Sequence, residues 1–480
     1  MKKKYNLMKT CIVVIFMTLA ACQDLTEDPK GFVSPENFYS TVAQGEAALT
    51  ASMNELWDYW GGYSYGYGFF VHDDQLLGGN LNITEGFANA VWDMHYRALK
   101  NINGVLRSVD KGSIKGVPQS EIDGLIGQAK FLRAYNYFML VRLYGDLPLI
   151  TEDTPDPVTN PVTQRTPVAE VYNSIVSDFE DAIVKLPSAW DGQPGKPTRG
   201  AAKGLLAKVY LTMATAPLNQ TSNYAKARDL AADVMDDGTY SLVPNVGDVF
   251  KLENKFGPEM MFSFNSTYDD PATDGQIWTP EVMDGWGDAS IDPTWSDKWL
   301  TTSPGEPRQA AYLILEYNGV PYTAFDEQRP FIRKFSLPYI TAEDYETAES
   351  TINYPIIRFA DVLLIYAEAA NMAEGGPSSE AYEAVNMVRR RANNLPLTTP
   401  DAAVDLSGLS KSAFDAAIIE ERNHELCFEY DRWFDLVRKR MLEQVAGQYI
   451  QNVSDEDYLY PIPNFDARKL NSQNPGYTTE

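Results

Sequence analysis

The segment of residues 418–440 narrows the possible folds more than any other part of the chain, because its apolar residues recur mostly at three- and four-residue steps. That spacing places them on one face of an α-helix and predicts a long helical segment, bent near Tyr430 and Asp431. Glutamates and arginines fill the other face. They predict carboxylate–guanidinium pairs along the surface of a packing helix.

The pair His424-Glu425 begins like the HExxH motif, in which two histidines on one helical face bind zinc. Phe428 occupies the position of the second histidine. The zinc interpretation therefore fails, and a structural role for this helix is favoured.

Alanine and aromatic residues recur at helical spacing in several other blocks. One predicted helix includes Gln128 and is ended by Gly145 and Pro148, and the others are residues 34–59, 86–109, 168–186, 200–216, 225–236 and 358–373. Pairs of such helices joined by short turns suggest tetratricopeptide-like units, although the repeat is irregular. The sequence predicts a mostly α fold in one compact unit, with an N-terminal region of residues 34–239 and a C-terminal region of residues 240–480.

Two stretches lack this helical periodicity. In residues 240–354 short alternating pieces such as 260–264 predict isolated strands, and a long irregular stretch inside a compact protein is usually functional. In residues 460–477 three prolines and a glycine exclude a helix and predict a tail that wraps across the body.

The N-terminus carries a targeting pattern. Four lysines precede an apolar run at residues 11–19, which is too short to span a bilayer and predicts a signal peptide of residues 1–21. The sequence Leu19-Ala20-Ala21-Cys22 resembles a bacterial lipobox, so Cys22 is the predicted lipidation site and residues 22–33 a tether. Ordinary cleavage nearby is the alternative.

The net charge limits the possible partners. Removing the four lysines of the signal peptide lowers the formal charge from −26 to −30. Such a surface repels polyanions, so nucleic acid is not an expected partner and neutral polysaccharides are favoured over anionic ones, unless a local basic cleft reverses the second inference. Of three cysteines, only Cys427 would remain unmodified in the mature chain, as a small buried packing group.

Four motifs resemble those of one protein family. They are ERNHELCFEYDRWFDLVRKR at residues 421–440, FLRAYNYFMLVRLYGDLPL at 131–149, YPIIRFADVLLIYAEA at 354–369, and PIP with NPGY at 461–463 and 474–477. In this order and spacing they are similar to the SusD/RagB family of Bacteroidota. The resemblance implies a mostly α-helical lipoprotein with a loop-rich ligand face, anchored at the outer-membrane surface. It also implies binding of oligosaccharide or polysaccharide without cleavage, no cofactor, and a SusC-like TonB-dependent transporter as partner.

Glycan contacts in this family vary with substrate, so the ligand candidates come from residue chemistry. A flat ring suits the apolar face of a sugar, and indole is the largest such ring. Trp286, between two glycines, is the first candidate and Trp278 the second, with burial in the core as the alternative for both. Trp295 and Trp299, four residues apart in a predicted short helix, are expected in the core. Further candidates from loops are Asp73, Asp74 and Asn80 for hydroxyl contacts, with Tyr65 and Tyr67 as another platform.

Three alternatives remain open. A surface glycoside hydrolase would use paired carboxylates, a binder of a non-glycan nutrient would use the same loops differently, and an adhesion subunit would have no glycan affinity. Residues 269–275 have some features of a calcium loop but lack the EF-hand spacing, so an acidic turn is favoured.

Overall fold

The computed structural model describes residues 39–60, 85–155, 159–267, 272–273, 278–287, 290–291, 293–336, 349–446 and 453–478. Its helices are α1 Val42–Trp60, α2 Glu85–Asp110, α3 Gln119–Tyr144, α4 Val168–Lys185, α5 Arg199–Met213, α6 Asn223–Asp237, α7 Pro293–Thr302, α8 Pro307–Tyr312, α9 Phe359–Glu374, α10 Ser379–Ala392, α11 Lys411–Glu425, α12 Arg432–Arg438, α13 Leu442–Ala446 and α14 Asn464–Leu470. Its strands are β1 Met260–Phe264, β2 Ala272–Thr273, β3 Leu313–Ile314, β4 Glu316–Tyr317, β5 Val320–Pro321, β6 Phe331–Ile332, β7 Glu349–Ser350 and β8 Tyr354–Arg358. The predicted mostly α fold is confirmed.

Helices that follow one another in the chain pack side by side, from α1 on α2 through to α5 on α6. Helix α9 packs against α6, α10 and α11, so the later helices continue the array begun by the earlier ones. This arrangement of neighbouring helix pairs is the tetratricopeptide-like organisation that the alanine and aromatic spacing predicts. None of the described helices is long and apolar enough to cross a membrane.

Helix α3 is buried along most of its length, because its residues are apolar or aromatic on nearly every face. Phe131 packs edge-on against Phe179 of α4 and Phe262 of β1, with ring centroids 5.6 and 4.8 Å apart. The helix ends at Gly145, which has a φ of 70° and donates its N–H to the carbonyl of Val141. The predicted stop at this glycine is confirmed, since a left-handed residue at a helix end costs glycine least.

The irregular stretch is anchored to the helices by one longer strand pair. β1 runs antiparallel to β8, with Phe264 opposite Tyr354. The N–H of Phe359, the first residue of α9, bonds the carbonyl of Glu259 at 2.9 Å. The other described pairs, β2 with β7, β3 with β6 and β4 with β5, contain two residues per strand, which confirms the prediction of short, isolated strands.

The prediction of one long helical segment bent near Tyr430 and Asp431 is right about the interruption and wrong about the continuous helix, because residues 426–431 separate two helices. Helix α11 ends at Glu425 and α12 begins at Arg432, and between them Phe428 and Tyr430 have positive φ angles of 66° and 65°. Cationic side chains from other segments bond the carbonyls at the C-terminal end of α11. Arg358 donates to the carbonyl of Glu425 at 2.6 Å, and Lys334 donates to the carbonyls of Glu425 and Cys427 at 2.9 Å. Free carbonyls at a helix end favour such cations.

Most of the charged residues of this segment are buried, and for these the prediction of surface pairs is wrong, whereas Glu420 and Lys439 are half-buried and Arg440 is exposed. Arg358 bonds Glu259 at 2.6 Å and Glu429 at 2.7 Å, and Arg308 bonds Glu425 at 2.8 Å. We call this set the strand-side network, with members Glu259, Arg308, Lys334, Arg358, Arg391, Glu421, Glu425 and Glu429. Helical periodicity misassigned these residues because their partners come from β8, α8, α10 and the segments around them.

A second buried set, the helix-side network, joins α5, α9, α11 and α12. Arg422 bonds Asp361 at 2.6 Å and Asp435 at 2.8 Å. Arg438 donates to both carboxylate oxygens of Glu368, at 2.6 and 2.7 Å. Its members are Lys208, Asp361, Glu368, Arg422, Asp431, Asp435 and Arg438. Bidentate geometry of this kind fixes the relative positions of the helices as well as their charges.

The tail packs across the body as predicted, but the exclusion of helix is wrong. Helix α14 forms between the two proline-containing ends, where residues 464–470 contain neither proline nor glycine. The backbone N–H of Tyr460 donates to the carbonyl of Leu143 at 2.7 Å. The side-chain amide of Asn474 donates to the carbonyl of Tyr144 at 2.9 Å. The tail thereby satisfies carbonyls at the end of α3.

Candidate ligand-binding loop

The segment Trp278 to Gly287, hereafter the Trp286 loop, is held in shape by its own backbone. The N–H groups of Gly285 and Gly287 bond the carbonyls of Pro280 and Thr279, each at 3.1 Å. A single 3₁₀ turn, Glu281–Met283, lies between them, and Asp284 follows it with a φ of 61°. These bonds close a compact turn within ten residues.

Two glycines make this closure possible. A Cβ atom placed on Gly285 would lie 2.1 Å from the carbonyl oxygen of Thr279, a distance that any side chain would have to relieve by moving the backbone. Gly287 has a φ of 69°, in the region that favours glycine. In the sequence these glycines stand on either side of the indole, and the structure shows that Gly285 is also needed for the turn.

The loop is fixed to the body at two points. The N–H of Glu281 bonds a carboxylate oxygen of Glu327 at 3.0 Å. Met283 packs on a small apolar cluster formed by Ile314, Phe325 and Phe331. The indole ring of Trp286 therefore follows a turn that is fixed to the rest of the protein.

The structure separates the two tryptophan candidates. Trp286 is 44% exposed, and Val282 in the same loop is 38% exposed. Trp278 is only 5% exposed, and its indole N–H bonds the hydroxyl of Tyr354 at 3.3 Å. Trp278 is therefore buried in the core, as the alternative given above expected, and it is not an exposed platform. The binding role of Trp286 stays a prediction.

The other tryptophans of the irregular stretch are packed. Trp299 is buried, Trp295 is partly buried against the same core, and their rings are 5.4 Å apart. His424 stacks on Trp299 with ring centroids 4.4 Å apart, so the histidine of the HExxH-like pair lies against an indole. The expectation that Trp295 and Trp299 belong to the core is confirmed.

Several sequence candidates lie outside the described residues and stay predictions. They are Cys22, Tyr65, Tyr67, Asp73, Asp74 and Asn80, together with most of the acidic segment 269–275. Within the described ranges no group of three metal-ligating side chains comes together.

The carboxylates with the most strongly shifted pKa values belong to the buried networks. Burial alone would raise the pKa of Glu425, but the guanidinium groups of Arg391, Arg358 and Arg308 hold it well below its usual range. In the same way Arg438 and Lys439 outweigh burial and lower the pKa of Glu368. These groups are ionised and engaged by cations in the core, an arrangement that serves packing and does not provide a proton donor.

Comparisons with known proteins agree with the fold. Residues 251–478 match a model described as the SusD family, and residues 27–211 match one described as starch-binding associating with outer membrane. SusD-like protein P2 of Formosa agariphila is 28% identical over 513 residues, covering 97% of this chain and 95% of that protein. A SusD homolog from Bacteroides thetaiotaomicron superposes with a TM-score of 0.77 at 22% identity, covering 92% of this chain and 98% of the other. A laminarin-binding SusD-like protein superposes with a TM-score of 0.70 at 23% identity, covering 92% of this chain and 100% of the other.

Proposed function

This chain belongs to the SusD/RagB family, and from that premise we propose that it is a cell-surface lipoprotein that binds a neutral oligosaccharide or polysaccharide through the Trp286 loop. It passes the bound glycan, uncleaved, to a SusC-like TonB-dependent transporter. Cys22 carries the lipid that holds it at the outer membrane.

The exposed indole of Trp286 carries this proposal. A sugar ring offers an apolar C–H face that stacks on a flat aromatic surface, and a rigid ring loses little entropy on binding. The backbone bonds of the Trp286 loop hold the ring in place before the ligand arrives. Val282 adds apolar surface in the same loop.

The preference for a neutral ligand rests on charge. The chain carries a formal net charge of −26, which opposes the approach of polyanions at long range. Laminarin, bound by one structural neighbour, is a neutral glucan and is the first polysaccharide to test.

The experiment is affinity electrophoresis of the protein in gels that contain laminarin, starch or an anionic polysaccharide, with product analysis on the same samples. We expect retardation by a neutral polysaccharide and no release of reducing sugar. Reducing-sugar release that is lost when one carboxylate is replaced would establish a glycoside hydrolase instead. No retardation by any glycan would reject the glycan proposal and direct the search to another nutrient.

The Trp286→Ala variant tests the loop itself. Loss of the stacking surface should weaken binding of the retarding polysaccharide by about 1 kcal/mol or more, with an unchanged melting temperature. Phe465→Ala is the matched control, because Phe465 is an exposed aromatic residue on α14. An unchanged dissociation constant for Trp286→Ala, or an equal loss in the control, would remove Trp286 from the site.

A further inference from the structure

A cavity of about 370 Å³ lies where the C-terminal end of α3 meets α12 and the tail. Its walls are largely apolar and aromatic, and they include Val141, Val168, Tyr172, Phe434 and Leu459. This volume lies in the range of small-molecule sites. It belongs to different residues from those of the Trp286 loop.

Arg142 lines this cavity without a carboxylate partner. Its guanidinium lies between the rings of Phe138 and Phe434, 3.8 and 3.6 Å from their centroids. It donates to the carbonyl of Phe138 at 3.0 Å and contacts the sulfur of Met139 at 2.7 Å. Within the described ranges no acidic side chain forms an ion pair with it, and its second terminal nitrogen, Nη1, makes no hydrogen bond.

The acids that act on Arg142 from a distance are already engaged. Asp431 is paired with Lys208 at 2.6 Å, and Asp435 with Arg422 at 2.8 Å. Burial outweighs both carboxylates and lowers the pKa of Arg142 to about 10. An unpaired, half-buried charge of this kind is unfavourable until an anion approaches it.

A second guanidinium in the cavity is also held by neutral groups. Arg165 donates to the carbonyls of Asp146 and Tyr144, at 2.6 and 3.1 Å, and to the side chain of Asn474 at 2.6 Å. In the described part of the chain it has no ion-pair partner. The cavity thus combines apolar walls with two guanidinium groups that have no ion pair in the described part of the chain, and the carboxylates of Asp146 and Asp455 also line it, with Asp455 paired to Arg440.

We propose that this cavity binds a small carboxylate whose body is a ring, with the carboxylate on Arg142 and Arg165 and the ring against the apolar walls. A planar guanidinium matches the two oxygens of a carboxylate, and an anion there would compensate the charge that the protein leaves unbalanced. The ring could belong to a purely apolar acid or to a sugar acid, and both classes share the same anchoring group.

The test uses the full chain and isothermal titration with four probes: phenylacetate, its neutral counterpart phenylacetamide, glucuronate and glucose. We expect at least one acid to bind saturably, with affinity roughly tenfold or more above its neutral counterpart, since a charged hydrogen-bond partner contributes about that factor. The acid that binds shows whether the cavity accepts an apolar ring or a sugar ring. Equal binding of the acids and their neutral counterparts, or no binding of either acid, overturns the proposal.

Two variants locate the binding. Arg142→Gln removes the charge and should reduce the affinity for the acid roughly tenfold or more, whereas Arg228→Gln, a control at a surface arginine paired with Asp229 and Glu374, should not. Val168→Phe fills the cavity while leaving both guanidinium groups in place, and it should abolish binding even if Arg142→Gln does not fold. Acid binding that survives Val168→Phe, or that Arg142→Gln leaves unchanged, would assign Arg142 a purely structural role.

Discussion

The strand-side network and the Trp286 loop lie in the same half of the sequence, yet they are stabilised in opposite ways. The network joins side chains from segments as distant as Glu259 and Glu429, and each charge has partners from other elements. The Trp286 loop depends on backbone bonds between residues less than ten positions apart, such as Gly287 to Thr279. A change in the network therefore affects the whole fold, while the loop can change its side chains and leave the scaffold intact.

The largest expected effect follows from removing one member of the network. Glu425→Ala removes the carboxylate that Arg308, Arg358 and Arg391 all bond, and breaking a buried charge set in this way costs about 3–5 kcal/mol of unfolding free energy. Urea unfolding followed by circular dichroism measures it. Glu443→Ala, at an exposed glutamate on α13, is the control and should change stability by less than about 0.5 kcal/mol. Equal stability of the two variants would show that the network is not the scaffold's main constraint.

Acid should weaken the networks before it affects the loop. The folded pKa values of Glu425 and Glu368 lie below their unfolded values because cations surround them. The unfolded chain therefore binds more protons, so the stabilisation is complete above about pH 5 and is lost as the pH falls below about 4.5, by on the order of 2 kcal/mol or more.

Unfolding free energies measured from pH 7 to pH 3 test this, with Glu425→Ala as the comparison, since it lacks one of the two titrating groups and should show a shallower decline. A wild-type stability that stays constant over this range would contradict the assignment of these groups as ionised pairs.

Gly285→Ala should separate loop shape from global stability. The added methyl group would overlap the carbonyl of Thr279, so the turn must open and move Trp286. We expect polysaccharide affinity to fall roughly tenfold, because a displaced ring loses its stacking geometry, with little change in melting temperature. Gly376→Ala is the control, since nothing lies within 4 Å of its added methyl group. Unchanged affinity in Gly285→Ala would mean that the loop tolerates a different backbone.

The smallest effect is expected at the buried indole. Trp278→Phe keeps an aromatic ring but loses the hydrogen bond to Tyr354, which should cost about 1 kcal/mol of stability and leave glycan affinity unchanged. Thermal unfolding and affinity electrophoresis of the same preparation measure both quantities. A loss of affinity as large as that of Trp286→Ala would return Trp278 to the list of ligand residues.

Local features were predictable from the sequence wherever a single element determined them. The spacing in α3 and its stop at Gly145 depend on neighbours within a few residues, and the alternation of residues 260–264 indicated β1 although its partner β8 is distant. One family motif, residues 131–149, covers the end of α3, whereas the motif at residues 421–440 covers the segment where the predicted continuous helix is wrong.

Features that depend on distant partners were not predictable. Nothing in residues 418–440 shows that Arg358 and Lys334 will reach the end of α11 and stop it there. Gly285 is necessary because the carbonyl of Thr279 lies too close for a Cβ atom, and the sequence does not reveal this contact. For the cavity a signal did exist, because Arg142 interrupts an apolar helix, but its lack of a carboxylate partner is visible only in three dimensions.

The contact between the tail and α3 has a consequence for truncated chains. Leu143 and Tyr144 end the central helix, and their carbonyls are bonded by Tyr460 and Asn474, more than 300 residues later. A polypeptide truncated before Tyr460 has the carbonyl of Leu143 open and that of Tyr144 bonded only by Arg165, and the end of α3 is uncovered. Such a chain is exposed to proteases at that point. The C-terminal segment thereby completes the hydrogen bonding at the end of α3.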